Sequence, residues 1–280
     1  MSSITERIQR ANLTKKEQII IEKITRDIEK TAFLNGKDLA ERYDVSATFI
    51  TRLIQKLGYE KFVDFKKELR DRYQRMTFPK DMYKHFLEGG GSGDIVKASI
   101  TQDMQNISNM ETLLDKKTLK KVVATIEKSE TVYMVAMFGS EVAVDALYHY
   151  LGRLGIKRRR VKGVGLSKKI EFTNIGENDV LVAFSSQRIV KEVVAAAQYA
   201  RNQGAKTVAI TDNATNPLAC ACDYTLLSPV KGVAIDYTNA ANIAIINVII
   251  NCLAERDPER VQAQLEEDEK HWKNKDIFCM

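Results

Sequence analysis

Two hydrophobic periods divide this chain. From Leu13 to about Phe78, apolar residues recur at helical spacing without strand-like alternation. Thr14 followed by Glu17 forms a T-x-x-E capping box, in which each residue satisfies a free group of the other. The helix it opens carries Ile20, Ile21, Ile24 and Ile28 on one stripe. Gly36 resets the chain, and two short helices follow, KDLAERY (37–43) and ATFITRLIQKL (47–57), the second closed by Gly58. A further charged helix is expected over 61–76, with Phe62, Phe65 and Leu69 turned inward.

After a helical lead-in (95–128) the period changes. TVYMVAMF (131–138), NDVLVAFS (178–185) and AKTVAIT (205–211) are continuous apolar runs bounded by Gly, Asn or Asp, the pattern of strands buried on both faces. Weaker strand candidates are IKRRRV (156–161) and DYTLLS (223–228), and helical stretches at about 140–154, 187–203 and 233–255 separate the set. Strand–helix alternation at this spacing predicts right-handed crossovers and a parallel sheet of about five strands, covered on both faces. The fold class expected is therefore α + α/β. A helical domain (1–85) and a doubly wound domain (95–280) are joined by FLEGGGSGD, a glycine-rich flexible linker at 86–94.

The segment Lys37–Leu57 has the layout of a helix-turn-helix. Leu39 and Ala40 face inward, the small Ala40 permitting close helix contact, and Val45 plugs the turn. Ser46 is a good N-cap, and Ile50, Leu53, Ile54 and Leu57 form the buried stripe of the second helix. Outward remain Ala47, Thr48, Thr51, Arg52 and Gln55, with Lys56 at the margin. Hydrogen-bonding side chains at a helix N-terminus suit the edges of bases in a major groove. Two core helices of a bundle would show the same stripes. The turn chemistry, the short second helix and the charge tip the balance together: residues 1–88 hold 19 Lys and Arg against 14 Asp and Glu, so this third carries five of the six excess positive charges.

Other totals exclude more than they indicate. With 44% hydrophobic and 29% charged residues, the composition is that of a globular protein with a sizeable core. The start MSSITERIQRANLTKKEQ has no apolar signal region, and AANIAIINVIINCLA (240–254) is too short for a membrane span. A cytoplasmic protein with no membrane partner is expected. Cys220, Cys222, Cys252 and Cys279 form no C-x-x-C, and His85, His149 and His271 lie elsewhere, so neither a metal site nor a disulfide framework is expected, and no cofactor.

The run G-K-D-L-A-E-R-Y-D-V-S-A-T-F-I-T-R-L-I-Q-K-L-G-Y-E-K-F-V-D-F-K resembles the N-terminal domain of the RpiR family of bacterial transcriptional regulators. Matching positions include Leu39, Ala40, Val45, Ser46, Ile50, Arg52, Lys56, Leu57, Gly58, Phe62, Phe65 and Lys66, over residues 13 to about 75. The resemblance implies double-stranded DNA as partner, read by Ser46, Ala47, Thr48, Phe49, Thr51, Arg52, Gln55 and Lys56. Phe49 departs from the family's usual Thr or Ser, and either touches a thymine methyl or tucks into the core.

The resemblance further implies a sugar isomerase (SIS) domain at about 115–255, control of carbohydrate-related genes and an effector that is a sugar phosphate or another small anionic metabolite. Such a pocket lies beyond the carboxyl ends of the central strands, in loops 137–142 and 185–190. Both loops depart from the family. A-M-F-G-S keeps Gly139 and Ser140 of G-x-G-x-S but has Ala136 at the first glycine. Against S-x-S-G-x-T the chain has Ser185, Ser186, Gln187, Arg188, Ile189 and Val190, which keeps only the first Ser. Thr238-Asn239 stand where the family often has Ser-Arg. Three readings stay open: a remodelled pocket for a different anion held by Ser140, Ser185 and Arg188; a domain that only dimerises; or a phosphosugar site with compensating residues. The basic run Lys157–Arg160 reads as a solvated strand edge, a ligand mouth or a dimer surface.

An isomerase on the same sheet is the competing class, and needs a positioned base. Glu141 and His149 are the nearest candidates, but Glu141 at a helix start reads as a dipole partner and His149 as a packed or surface residue. A stand-alone isomerase has no use for a helix-turn-helix, so no catalytic residue and no enzyme activity are expected. A homo-oligomer, dimer or tetramer, is expected through the α/β domains, notably helix 233–255.

Overall fold

The computed structural model describes residues 4–76, 79–88, 93–161 and 174–273. The chain divides into two compact units, Met1–His85 and Phe86–Met280.

The first unit is helical throughout: α1 (Ile4–Arg10), α2 (Lys15–Arg26), α3 (Ile28–Thr31), α4 (Gly36–Arg42), α5 (Ala47–Lys56) and α6 (Phe62–Met76), with α7 (Pro79–Glu88) crossing the division. The capping box forms: Thr14 N donates to Glu17 Oε2 at 2.8 Å, and Glu17 N to Thr14 Oγ1 at 3.4 Å. Asn35 caps α4 by accepting from Lys37 N and Asp38 N at 2.9 and 3.0 Å. Between α4 and α5, Asp44 takes a left-handed φ of 51°, a conformation Asp tolerates, and Val45 N returns to Ala40 O at 2.9 Å. Ser46 accepts from Phe49 N at 3.1 Å. At the far end, Gly58 (φ 80°) and Tyr59 donate to the carbonyls of Gln55 and Ile54, a Schellman closure that the missing Cβ permits. Leu39, Ala40, Ile50, Leu53, Ile54 and Leu57 are all buried, as the stripes predict, and share one core with Ile20, Ile21, Ile24, Phe65 and Leu69.

The second unit alternates helices and strands: α8 (Ile95–Leu113), α9 (Lys116–Lys128), β1 (Val132–Val135), α10 (Glu141–Arg153), β2 (Arg158–Val161), β3 (Val180–Phe184), α11 (Lys191–Asn202), β4 (Lys206–Thr211), α12 (Pro217–Ala221), β5 (Tyr224–Leu227), α13 (Ala240–Arg256) and α14 (Pro258–Lys273). Each of the five strand candidates becomes a strand, all parallel, in the order β2-β1-β3-β4-β5. Pleat alternation sends the two faces to different cores. Val132, Met134, Val180, Val182, Val208 and Ile210 pack with α8, α9, α10 and α13, while Tyr133, Val135, Leu181, Ala183 and Ala209 pack with α11 and α12.

Several boundaries move. The lead-in is two helices, with Asp115 capping α9 through Lys117 N and Thr118 N. α11 begins at Lys191 and α13 at Ala240, so 187–190 and 233–239 are loops at the ends of strands. Phe86–Glu88 are the last turn of α7 rather than linker, and 89–92 lie outside the described residues. α13, expected to take part in oligomer contacts, buries one face inside its own unit: Ala241, Ile245, Ile246, Ile249 and Leu253 pack against α8, α9 and α10. No helix among the described residues is long and apolar enough to cross a membrane.

Candidate DNA-binding face and effector cavity

Helix α5 presents one polar face. Ala47, Thr48, Thr51, Arg52 and Gln55 are exposed, with the buried stripe on the opposite side. The Ser46 hydroxyl is used as the cap, and Thr51 Oγ1 donates to Ala47 O at 3.0 Å. Phe49 is half-buried and packs against the helical core, with the Lys16 ammonium 5.6 Å from its ring centre.

Three braces hold α5 from behind. Lys56 Nζ donates to both carboxylate oxygens of Glu17, at 2.8 and 2.9 Å. Arg7 donates to the terminal carbonyls Leu57 O and Gly58 O at 3.1 and 2.9 Å, and its guanidinium lies 4.4 Å from the Tyr59 ring centre. Tyr59 in turn donates to Glu68 Oε2 at 2.7 Å. A cation at the carboxyl end of a helix opposes the negative end of its dipole. Arg7 was not legible as a brace, since it lies 51 positions from Gly58.

In the second unit, the sheet's switch point falls between β1 and β3, where connections leave in opposite directions and a crevice opens beyond the strand ends. A cavity of about 480 Å³ lies there. Its lining includes Gly139, Ser140, Ser185, Ser186 and Arg188 of the expected residues, together with Met137, Phe138, Ile189 and Val190 of the same two loops. Gln187 is not part of the lining. Its φ of 56° turns it aside, its N–H donates to Asp212 Oδ2 at 3.0 Å, and its amide oxygen is buried without a partner.

Asp236 and Tyr237 complete the wall, and the sequence reading missed both by taking 233–239 into the following helix. Pro229 and Gly232 just after β5 were the available signal for a loop. Gly232 is required by the fold of this segment, because a Cβ there would stand 1.7 Å from Asp236 O. Thr238 N closes on Val230 O at 3.0 Å, and Asn106 of α8 donates to Lys231 O at 2.8 Å. Tyr237 Oη then lies 3.1 Å from Ser140 Oγ, and burial raises the phenol's pKa above its ordinary value. Asn239 Nδ2 donates to Gly139 O at 3.0 Å. Arg188 stands 3.8 Å from Asp236 Oδ1.

Ser185 Oγ accepts from Val190 N at 3.1 Å, and Ser185 O accepts from the buried Thr211 hydroxyl at 2.6 Å. Glu141 and His149 are both exposed on α10 and neither lines the cavity. The Arg run forms an outer strand edge: Arg158 and Arg160 lie 4.4 and 4.1 Å from the Tyr148 ring centre, and Arg160 pairs with Asp145 at 2.6 Å. Cys220, Cys222 and Cys252 are free thiols, with burial pushing that of Cys222 up to about 12.

A capped helix with one exposed polar face lies in one unit, and a doubly wound sheet with a cavity at its switch point in the other, the layout of a two-domain regulator with a helix-turn-helix. Residues 3–76 match the helix-turn-helix domain of the rpiR family, and residues 164–251 match the SIS domain. An uncharacterized HTH-type transcriptional regulator of Clostridium perfringens is 25% identical over 217 residues, 76% of each chain. The sugar isomerase domain of an RpiR transcription factor from Sphaerobacter thermophilus is 26% identical, with a TM-score of 0.62, covering 64% of this chain and 99% of that one. The Vibrio vulnificus NanR protein, complexed with ManNAc-6P, shares the fold over 97% of this chain and 98% of its own, at 20% identity and a TM-score of 0.66. The chain therefore carries a helix-turn-helix domain of the rpiR family on its N-terminal side and a SIS domain on its C-terminal side, the make-up of a DNA-binding transcriptional regulator.

Proposed function

We propose that α5 lies in the major groove of its operator, with Thr48, Thr51, Arg52 and Gln55 meeting bases and Lys61, Lys66 and Lys67 meeting phosphates. The exposed polar face of a helix whose other face is wholly buried carries this reading. Lys56 joins the phosphate contacts only as far as its pairing with Glu17 allows. The protein acts where the chromosome is, in the cytoplasm, and it regulates rather than catalyses: the two candidate bases stand outside the cavity.

The cavity is read as an effector site. NanR holds a sugar phosphate, and that complex supports a metabolite-sensing role for the same fold here. The cavity of this chain offers Arg188 beside Ser140, Ser185 and Ser186, a set that suits a small metabolite with one anionic group. Effector binding would shift the population between DNA-binding arrangements. Association of two copies would present two α5 helices to a near-palindromic operator.

Fluorescence anisotropy tests the DNA reading. Duplexes drawn from the region upstream of its own gene should bind, with affinity falling steeply as salt rises. Arg52→Ala should cost about 1–3 kcal/mol on the preferred duplex. Equal affinity of Arg52→Ala and the native protein across all duplexes would refute the assigned helix.

A further inference from the structure

The cavity wall that follows β1 contains one residue whose conformation and exposure are both costly. Phe138 has a left-handed φ of 57°, where a bulky side chain is an outlier and glycine would sit without steric cost. It lines the cavity and is nevertheless 74% exposed, which places it at the mouth. It belongs to none of the three hydrophobic cores. An exposed phenylalanine alone would mean little. Here backbone strain, exposure and a place on a cavity rim fall on one residue, and strain of this kind collects at ligand clamps.

The conformation is held by the residues that come next. Asn239 Nδ2 donates to Gly139 O at 3.0 Å, and Ser140 Oγ lies 3.1 Å from Tyr237 Oη. Both contacts tie the turn after Phe138 to the 229–239 loop, so the residue is presented by a fixed backbone, and little order has to be gained on binding. The rest of the lining includes a polar wall. Ser140, Ser185 and Ser186 are buried there, beside the Tyr237 phenol and the Asp236 carboxylate. Ser185 Oγ accepts from Val190 N–H at 3.1 Å, which leaves its own proton to be donated. Hydroxyls and a carboxylate together supply donors and acceptors, the complement of a ligand with several hydroxyl groups.

We infer that Phe138 is a stacking platform that selects a closed sugar ring, with one C–H face of the sugar on the phenyl ring and its hydroxyls on the polar wall. This deepens the reading of the cavity as the effector site and rests on it. The face of a phenyl ring is its negative side, and sugar C–H bonds, polarised by their oxygens, point their positive ends at it. A closed ring offers that face ready formed, whereas an open-chain polyol must freeze its rotors to match it. Free sugars and sugar phosphates both present such a face, and the Ser185 and Ser186 hydroxyls can donate to either. A cavity of about 480 Å³ is within the range of small-molecule sites.

The test uses the full chain in calorimetric and thermal-shift titrations. The probes are glucose, mannose, their N-acetylated 2-amino analogues, the methyl pyranosides and 6-phosphates of each, and the matching open-chain alditols with and without phosphate. Free and phosphorylated probes separate the two ligand sources, and each ring–alditol pair reads the platform. The expected result is saturable binding of at least one cyclic probe, about tenfold or more tighter than its alditol. In Phe138→Gly that gap should shrink to about twofold or less. Unliganded melting should not fall in this variant, because Phe138 packs in no core and glycine meets its φ without strain. Phe138→Trp should keep the gap, and its indole emission should change as the cyclic probe saturates. Equal affinity for ring and alditol in the native protein, or an undiminished gap in Phe138→Gly, would overturn the platform while the effector reading stands. If no probe of either kind binds, both fall.

Discussion

Lys56 closes the last turn of α5 onto Glu17, the residue that caps α2, with its ammonium 2.8 and 2.9 Å from the two carboxylate oxygens. One carboxylate thereby serves two elements. The Lys56 hydrogen bond, ahead of the Thr14 backbone N–H, holds the Glu17 pKa below its ordinary value of 4.5.

Glu17→Gln should therefore destabilise the chain by about 1–2 kcal/mol, as both a cap and an ion pair weaken. The sign with pH follows from the direction of the shift. A carboxyl whose folded pKa is depressed contributes stability that is present above its unfolded value and is lost as pH falls through the folded one. Thermal unfolding between pH 7 and pH 3 should show a steeper acid limb for the native protein than for Glu17→Gln. Parallel limbs would remove Glu17 from this role.

Gly139 tests the wall of the cavity. A Cβ at this position would stand 2.8 Å from Tyr237 Oη and 3.1 Å from its ring carbon, so Gly139→Ala must push the phenol off Ser140. The variant should keep operator affinity and lose most of its response to whichever effector the native protein binds. An unaltered response in anisotropy titrations would show that Tyr237 does not shape the site.

Helix α8 offers a further candidate surface for association. Val96, Ile100, Met104 and Ile107 recur at helical spacing and are 66%, 57%, 65% and 39% exposed, while Asn106 and Met110 face inward. An apolar stripe left uncovered along a helix marks an interaction surface. Light scattering coupled to gel filtration should show Ile100→Asp at half the native mass or less. Retention of the native mass would place the contact elsewhere.

Legibility followed burial. β1, β3 and β4 were unmistakable because central strands buried on both faces carry continuous apolar runs. β2 and β5 were fainter because each lies at an edge with one neighbouring strand, so Arg158 and Arg160 can sit in β2 and cover Tyr148. The cavity loops after β1 and β3 were locatable from topology alone, yet Gln187 was misplaced among their lining residues. A single left-handed φ decided its direction, and nothing local announces that angle at a glutamine.

Caps, turn residues and the change of hydrophobic period act over a few positions, which is why the amino-acid order was enough to determine two domains, the polar face of α5 and the two loops beyond the sheet. What only tertiary structure decided is which distant groups meet: Tyr237 with Ser140, 97 positions apart, Asp236 with Arg188, and Arg7 with the end of α5. Those meetings depend on how packed layers bring separate loops to one place, a relation that no local pattern of residues encodes.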